Sequence, residues 1–400
     1  MSKQFSELFI EPWVNEEGWN LENFEKLVTP TYVISVSKLE NNLKLLERVQ
    51  KETGCKILMA LKSFSTFSVF PLMRKYLAGS EASSINEARL GKEEFGKETH
   101  VFSPSYTRDN IGEYLKYCDH LVFNSFSQWD NFKKIVEKSK KKISCGMRVN
   151  LEHRESEVEM YDPSRPYSQF GVTIDNFEED NLSGIEGLHF HNLCELNADA
   201  LERSLEIFEK KFGKFLSKMK WVNFGGGHHI TRDDYDLNLL YKIIKEFRKK
   251  YPHLEIYLEP GEAVVLNAGV LVGQVVDIFK NGINIAVVDV SAATHMPDVL
   301  EMPYMPKILG AQIPVKKGNE NSYRLVGPSC LTGDVIGEYS FNDSLKIGQK
   351  IVFLNMAIYT MVKNNTFNGI NLPQIAIMDK KNKIKIIKKF SHKDFKGRLS

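Results

Sequence analysis

From about residue 31 onward, short strand-like runs alternate with amphipathic helical stretches, and this alternation constrains the fold more than any other feature. In DLNLLYKIIKEFRKK (236–250), for example, apolar residues recur at helical spacing and lysines occupy the other face. Eight strands that alternate with helices predict a (β/α)8 barrel. The eight runs are KILMALK (56–62), GSEASS (79–84), HVFSP (100–104), HLVFNS (120–125), ISCGMRVN (143–150), GIEGLHFH (184–191), WVNFGGG (221–227) and EIYLEPG (255–261).

The pattern changes after about residue 263, where strand-like segments follow one another with turn residues between them and little helical periodicity. This part of the chain predicts a second, mainly β domain. We therefore assign residues 30–262 to the barrel and residues 1–29 together with 263–400 to the β domain. The strand-like segments are VGQVVDIF, NIAVVDVS, YRLVGPSC, QKIVFLNMAIYTM, QIAIMD and KIKIIKKF.

Composition and charge argue against several functional classes. The 400 residues carry 53 Lys and Arg against 51 Asp and Glu, so bulk charge gives no reason to expect a nucleic-acid partner. No apolar run is long enough to span a bilayer, and acidic residues interrupt the apolar residues of the N-terminus, unlike a signal peptide. Five cysteines without a CxxC pair indicate neither a disulfide framework nor a zinc site, and they favour a reducing cytoplasm.

Polar residues stand where the predicted barrel strands end. In such barrels the carboxyl ends of the strands carry the active site, so these residues are the first candidates for function. They are Lys62, Ser84, Arg148, His191, the run Gly225-Gly226-Gly227, and Glu259.

Lys62 ends the apolar run ILMALK, where a lysine is awkward for a core but useful as a nucleophile toward a carbonyl. The glycine run 225–227 lets the backbone approach an anion closely and direct N–H groups at it, so a phosphate is its natural ligand. The run matches neither a Walker A loop nor the spaced dinucleotide fingerprint. Each feature has a plainer alternative, namely an ordinary strand-end lysine and a tight turn.

Three further residue types suit a cofactor with an aromatic ring. Glu259 in LEPG could pair with a pyridine nitrogen, and His191 in HFHNLCE could stack on the ring. Cys330 in GPSCLTGD lies on a predicted loop, where a thiol can act as an acid. Taken singly, they could equally be a turn acid, a structural histidine and a small buried apolar residue. A metal site formed by His189, His191, His228 and His229 is not expected, because a third ligand at suitable spacing is missing.

Taken together, the motifs ALKSF, HFHNLCE, NFGGG, LEPGE and GPSC, with the Tyr359 region, stand in the order of a known family. The chain resembles the fold-type III pyridoxal-phosphate decarboxylases, the alanine-racemase-like group that includes ornithine, arginine and diaminopimelate decarboxylases. The resemblance runs from about Thr29 to about residue 376. It implies a (β/α)8 barrel with a β domain, and pyridoxal phosphate as the cofactor.

The resemblance also implies residue roles. Lys62 would carry the cofactor as a Schiff base, His191 would stack on the pyridine ring, and Glu259 would pair with the pyridine nitrogen. Cys330 would protonate the carbanion left by carbon dioxide, and it would come from the other subunit of a head-to-tail homodimer. The phosphate would be held by Gly225, Gly226, Gly227 and Tyr359.

The chain departs from the family pattern where the family holds a substrate's distal group. Most relatives have arginine after the EPG motif, whereas Glu262 stands here. The stretch SAATHMPDVLEMPYMP, where diaminopimelate decarboxylases use an arginine, contains Asp298 instead, and the first acid after Cys330 is Asp334. Negative charge in the pocket repels an anionic substrate tail and attracts a polyamine.

This charge pattern, with HMPDVLEMPY and EPGEA, is similar to decarboxylases that convert carboxynorspermidine or carboxyspermidine to norspermidine or spermidine. We expect Glu262, Asp298 and Asp334 to contact substrate ammonium groups. Three alternatives remain: a diaminopimelate or other basic amino-acid decarboxylase, a racemase, and a catalytically inactive relative that binds and regulates a decarboxylase. The racemase is less favoured, because alanine racemases place arginine rather than a carboxylate at the pyridine nitrogen.

Overall fold

The computed structural model describes residues 8–156, 158–313 and 320–400. The chain divides into two compact units, Glu40–Val264 and Met1–Leu39 with Val265–Ser400. Residues 1–7, which the sequence assigns to the β domain, lie outside the described residues. Within the described ranges, no helix combines the length and the apolar character that crossing a membrane requires.

The strands and α-helices are numbered in chain order. The strands are β1 (Thr31–Ser35), β2 (Lys56–Ala60), β3 (Gly79–Ala82), β4 (Glu98–Phe102), β5 (His120–Phe123), β6 (Ser144–Arg148), β7 (Ile185–His189), β8 (Trp221–Asn223), β9 (Glu255–Leu258), β10 (Gly269–Asn281), β11 (Ile283–Val288), β12 (Ser322–Val326), β13 (Val335–Ser340), β14 (Lys350–Leu354), β15 (Gln374–Met378) and β16 (Ile384–Lys388). The α-helices are α1 (Val36–Thr53), α2 (Phe70–Met73), α3 (Ile85–Leu90), α4 (Ile111–Tyr117), α5 (Phe126–Glu137), α6 (Ala198–Phe212), α7 (Leu237–Lys250), α8 (Gly261–Val265), α9 (Ala292–His295), α10 (Asp298–Glu301), α11 (Tyr359–Lys363) and α12 (His392–Gly397).

The Glu40–Val264 unit is a closed barrel of parallel strands in the order β2 to β9. It closes where β9 pairs with β2, with Lys56 opposite Tyr257 and Ile57 opposite Leu258. Each of the eight runs predicted from the sequence overlaps one barrel strand, so the predicted (β/α)8 barrel is confirmed.

Helix α7 shows how the sequence specifies the outer layer. Asp236 caps its N-terminus by accepting a hydrogen bond from the backbone N–H of Leu239 at 2.9 Å. The apolar residues at helical spacing face the barrel, and three basic residues stand in the last turn, where they favour the negative end of the helix dipole. The buried residues of this face are Leu240, Ile243, Ile244 and Phe247.

Trp221 of β8 fills the barrel interior near the amino ends of the strands. An added Cβ would come within 2.3 Å of its indole at Gly146 of β6 and within 2.1 Å at Gly187 of β7. The indole Nε1 donates to Ser144 Oγ at 2.8 Å, which satisfies the one polar atom of the ring. The barrel therefore needs glycine at both positions, because the indole occupies the space that a side chain would take.

A polar layer lies beside this indole. The rings of His100 and His120 stack with centroids 3.9 Å apart, and burial lowers the pKa of His120 to about 2. Glu98 accepts hydrogen bonds from Lys56 Nζ at 2.9 Å and from the hydroxyl of Tyr257 at 3.1 Å. Lys56 therefore supplies the positive charge that compensates Glu98 at this end of the barrel.

The other unit contains a sheet with the strand order β13-β12-β11-β10-β1-β15-β16, and β14 also pairs with β10. Strand β1 runs antiparallel to β10 and parallel to β15. The sequence places the start of the barrel at residue 30, whereas the structure places residues up to Leu39 with this sheet. The reason is that both edges of β1 form backbone hydrogen bonds within the sheet.

The mainly β character of this unit is confirmed, with two local differences. The segment QKIVFLNMAIYTM was predicted as one strand, but β14 ends at Leu354 and Tyr359 begins helix α11. Asn355 has a φ of 55°, which is incompatible with continued extended backbone. Strand β13 was not predicted, because Gly337 and Glu338 interrupt its apolar pattern.

We expect the substitution Gly187→Ala to lower the free energy of unfolding by about 2–3 kcal/mol, because its Cβ would overlap the indole of Trp221. The matched control is Gly112→Ala in α4, where nothing lies within 4 Å of the new Cβ. Since alanine favours helix over glycine by about 1 kcal/mol, the control should be neutral or stabilising. Urea unfolding measures both, and equal effects of the two variants would contradict the packing described here.

Candidate active site

The predicted site residues of the barrel unit lie at the carboxyl end of its strands. Lys62 follows β2, His191 follows β7, the glycine run 225–227 follows β8, and Glu259 follows β9. Parallel strands direct these four segments to one end of the barrel. Ser84, which also follows a strand, instead caps α3 by accepting from the backbone N–H of Glu87 at 3.2 Å.

Glu259 is a buried carboxylate, 6% exposed, with a partner on each oxygen. Asn223 donates its Nδ2 to Oε1 at 2.5 Å, and Nε2 of His189 lies 3.4 Å from Oε2. Burial alone would raise the pKa of Glu259, but His189 and the ammonium of Lys62 lower it more, so the pKa lies below its ordinary value. Glu259 is therefore an anion held ready for a cationic or N–H partner.

The glycine run packs closely against the loop that carries His191. An added Cβ would lie 2.4 Å from the carbonyl oxygen of Phe190 at Gly225 and 2.0 Å from that of Leu193 at Gly227, and both glycines have positive φ. The backbone N–H of Gly226 donates to His191 Nδ1 at 3.2 Å. Glycine is required here because of both the backbone conformation and the close approach.

His191 is a neutral imidazole with a fixed orientation. Desolvation and the nearby positive charges, Lys62 first, lower its pKa well below the ordinary value. Because Nδ1 accepts a hydrogen bond, the proton of the neutral ring stands on Nε2. The hydrogen bond from the glycine run thereby fixes the orientation of the imidazole ring.

A second buried carboxyl, Glu81 of β3, was not singled out from the sequence. It is 4% exposed, and burial together with the negative charge of Glu259 raises its pKa well above the ordinary value. Arg148 lies nearby, with its guanidinium carbon over the rings of both Phe102 and Phe170, at 4.4 and 4.6 Å from the ring centroids. The pKa values of Glu259 and Glu81 are therefore displaced in opposite directions, a pattern that is common where an acid and a base must be told apart.

Glu262 stands in the first turn of α8, with its side chain 10% exposed. Nε2 of His229 lies 3.9 Å from its Oε2. Burial lowers the pKa of His229 to about 3, so the imidazole is neutral at pH 7. His229 consequently adds no positive charge beside this carboxylate.

Cys330 and Tyr359 belong to the other unit. Cys330 is exposed in the loop between β12 and β13, where its backbone N–H donates to Asn368 Oδ1 at 2.7 Å. Tyr359 is the first residue of α11, and Nζ of Lys363 lies 5.8 Å from its ring centroid. The exposed thiol agrees with the loop position expected from the glycine and proline around it.

The two predicted substrate acids of this unit have partners within it. Asp298 pairs with Nζ of Lys363 at 2.5 Å, and burial raises its pKa. Asp334 accepts from Ser291 Oγ at 2.8 Å and from the backbone N–H groups of Ala293 and Ser329 at 3.2 and 3.1 Å. Asp334 thus anchors the loop that carries Cys330, and its contact with substrate stays a prediction.

The family model described as "Pyridoxal-dependent decarboxylase, C-terminal sheet domain" matches residues 31–357. This chain is a pyridoxal-dependent decarboxylase. The family and the barrel-plus-β fold expected from the motifs are thereby confirmed.

Relatives of this decarboxylase match over nearly its whole length. The carboxynorspermidine/carboxyspermidine decarboxylase of Campylobacter jejuni is 45% identical over 381 residues, which cover 93% of this chain and 98% of the relative. The carboxyaminopropylagmatine decarboxylase of Synechocystis is 38% identical, covering 95% and 98%. The crystal structure of carboxynorspermidine decarboxylase from C. jejuni, complexed with norspermidine, aligns with a TM-score of 0.86 at 44% identity and covers 93% of this chain and 100% of that one.

Pyridoxal phosphate is the cofactor of the decarboxylase, and the described residues fit it. Backbone N–H groups of a glycine run suit a phosphate, and a buried ionised carboxylate suits a protonated ring nitrogen. Lys62 places a primary amine at the same end of the barrel, where an aldehyde can be held.

Sequence inspection missed Glu81 and Asn223. Both lie inside short barrel strands; Asn223 is the first residue of the NFGGG motif, whose glycines alone were assigned a role, and Glu81 belongs to none of the motifs named above. The one available signal was position, since Asn223 immediately precedes the segment Phe224–Gly227 and Glu81 stands next to the end of β3. A polar residue so close to the end of a buried strand needs a partner inside the barrel.

We expect Gly226→Ala to weaken pyridoxal phosphate binding about tenfold, roughly 1.4 kcal/mol, without preventing folding. Alanine can adopt the backbone conformation of Gly226, whose φ is not in the left-handed region. The new Cβ, however, would lie 3.0 Å from His191 Cε1 and 2.6 Å from the carbonyl oxygen of Glu259. The control is Gly213→Ala, whose Cβ makes an ordinary 3.4 Å contact. Titration of apoprotein with cofactor measures both, and unchanged affinity in Gly226→Ala would contradict a cofactor seat at this loop.

Proposed function

We propose that the enzyme decarboxylates carboxynorspermidine or carboxyspermidine and releases norspermidine or spermidine. The observation that carries this proposal is the similarity to a decarboxylase named for these two substrates. This chain is 45% identical to that relative over an alignment that covers 98% of the relative's length. The acid Glu262 agrees with it, because a carboxylate beside a neutral histidine attracts the ammonium groups of a triamine and repels an anionic tail.

We propose the following roles for the barrel residues. Nζ of Lys62 would hold the cofactor covalently in the absence of substrate. The backbone N–H groups of the glycine run 225–227 bind the phosphate, and the hydroxyl of Tyr359 adds a further contact. The imidazole of His191 would contact the pyridine ring, and the carboxylate of Glu259 would keep a proton on the ring nitrogen. When bound, pyridoxal phosphate supplies a ring that accepts the electron pair left behind by carbon dioxide.

The residue that we propose as the proton donor is Cys330, whose Sγ would deliver a proton to the carbon that has lost its carboxylate. The thiol is exposed on a loop of the sheet unit. We propose that two copies of the chain form a homodimer in which this loop completes the partner's site. The exposed apolar side chain of Leu331, next to the thiol, supports such a contact.

A second candidate substrate is carboxyaminopropylagmatine, which the 38% identical Synechocystis relative is named for. It also has a cationic tail, so the acids that would hold a triamine would hold it as well. A diaminopimelate decarboxylase is less well supported, since the relative from Archaeoglobus fulgidus is 24% identical and Glu262 opposes an anionic tail. A panel of the carboxylated triamines, carboxyaminopropylagmatine, diaminopimelate and ornithine separates these possibilities by the amine formed.

We expect Lys62→Ala to abolish carbon dioxide release and to remove the visible absorbance of the lysine-bound cofactor, because the substitution removes the amine that is proposed to bind the cofactor. The control is Lys51→Ala on the exposed end of α1, which should behave like the unmodified enzyme. Activity assays and absorbance spectra give the two readouts. An active and coloured Lys62→Ala enzyme would refute the assignment.

We expect Glu262→Gln and Asp298→Asn to raise the KM for carboxyspermidine about tenfold each while changing kcat little, since each removes a charge that binds the substrate tail rather than the reacting carbon. Glu206→Gln, an exposed acid on α6, serves as the control. Steady-state kinetics at two salt concentrations provide the measurement. If both variants keep the original KM, the polyamine assignment is wrong.

A further inference from the structure

One buried amide connects two parts of the site that the sequence presents as separate motifs. Asn223 ends β8 and has no exposed surface. Its Nδ2 donates to Glu259 Oε1 at 2.5 Å, and its Oδ1 accepts from the backbone N–H of Gly225 at 2.9 Å. Because the Gly225 N–H can only donate, the amide oxygen must face it, and the amide nitrogen must face the carboxylate.

The backbone repeats this connection. The N–H of Glu259 donates to the carbonyl oxygen of Gly225 at 2.8 Å, so the acid and the first residue of the glycine run are joined twice. A displacement of the loop would therefore move the carboxylate as well. Asn223 therefore links the glycine run, which is proposed to bind the phosphate, to Glu259, which is proposed to pair with the ring nitrogen.

An amide is the suitable group for this position. It offers a donor on one side and an acceptor on the other, and it carries no charge that would compete with Glu259. A carboxylate here would stand at hydrogen-bond distance from another carboxylate, and an apolar side chain would leave a buried acceptor and a buried N–H without partners.

We propose that Asn223 is a positioning residue for the decarboxylation, tying the carboxylate of Glu259 to the phosphate-binding loop through a single side chain. The inference rests on the cofactor contacts proposed above. Asn223 itself touches neither cofactor nor substrate in this assignment. It acts through Glu259, by keeping that carboxylate ionised and aimed, and through Gly225, by keeping the loop at a set distance from the acid.

Several other groups face Glu259 and bias its charge. Lysine, arginine and histidine favour the ionised form, while the second acid opposes it. Removing the Asn223 donor therefore shifts the balance toward the protonated form of Glu259. The groups are Lys62, Glu81, His100, Arg148, His189 and His228.

The test measures the pyridoxal phosphate dissociation constant of the apoprotein between pH 3 and pH 8, which does not depend on turnover. Asn223→Ala should weaken binding at least tenfold at pH 7. It should also move the acid limb of the affinity profile upward by at least one pH unit, because Glu259 loses a hydrogen bond to its ionised form and becomes protonated at higher pH. A purely structural role would lower affinity without moving that limb.

A double-mutant cycle with Glu259→Gln isolates the coupling. If Asn223 acts through Glu259, the double variant should bind cofactor within about twofold of the weaker single variant. The matched control is Asn192→Ala, since Asn192 is an equally buried amide that bonds Ser164 and Ser204 instead of a carboxylate. Its effect should add to that of Glu259→Gln, and it should leave the acid limb in place.

The outcomes separate the inference from the proposed function. An unmoved acid limb and additive effects in Asn223→Ala, with weak binding in Glu259→Gln, would overturn the inference alone. Original affinity and pH profile in Glu259→Gln would overturn the role of Glu259 and the inference with it. Asn223→Leu, which is of similar volume and lacks both hydrogen bonds, replaces the alanine variant if that protein does not fold. Failure of both to fold would also contradict the proposal, because Asn223 would then act on the fold.

Discussion

The pairing of β9 with β2 is the constraint on which the rest of the barrel unit depends. It closes a parallel sheet that would otherwise have two free edges, and it brings the first and last barrel strands side by side. Because all eight strands run in the same direction, closure also collects their carboxyl ends in one place. Lys62 and Glu259, which follow the two paired strands, are neighbours for this reason alone.

At this end of the barrel, the electrostatic environment shifts the pKa values of two glutamates in opposite directions. Glu81 and Glu259 are both buried carboxyls on barrel strands or their ends. Burial and the negative charge of Glu259 raise the pKa of Glu81, whereas His189, whose Nε2 lies 3.4 Å from Oε2, and Lys62 lower the pKa of Glu259. The two carboxyls therefore differ in how readily each gives up its proton.

The barrel could be predicted from the sequence because its strands are short apolar runs separated by helices with clear periodicity. The motif residues could be predicted because strand ends converge in such a fold and because the set stands in the order of a family. Two kinds of feature could not be predicted. The sequence pattern of β1 does not differ from that of the barrel strands. Its place in the sheet follows only from its pairing with β10 and β15, which lie far along the chain. The carboxylate that Asn223 bonds and the charge that shifts the pKa of Glu81 both belong to Glu259, which is remote in sequence, so no local pattern reveals either interaction.

The position of β1 has a consequence for how the chain is made. Its two sheet neighbours, β10 and β15, lie after the entire barrel, so the barrel is an insertion between one strand of the sheet and its partners. During synthesis β1 leaves the ribosome first, with both edges unpaired, and it must wait until about 240 more residues have been added. The barrel, whose strands are contiguous in sequence, can fold during that interval. We expect newly made chains that stop before β10 to expose β1 as a strand edge that chaperones or other chains can bind.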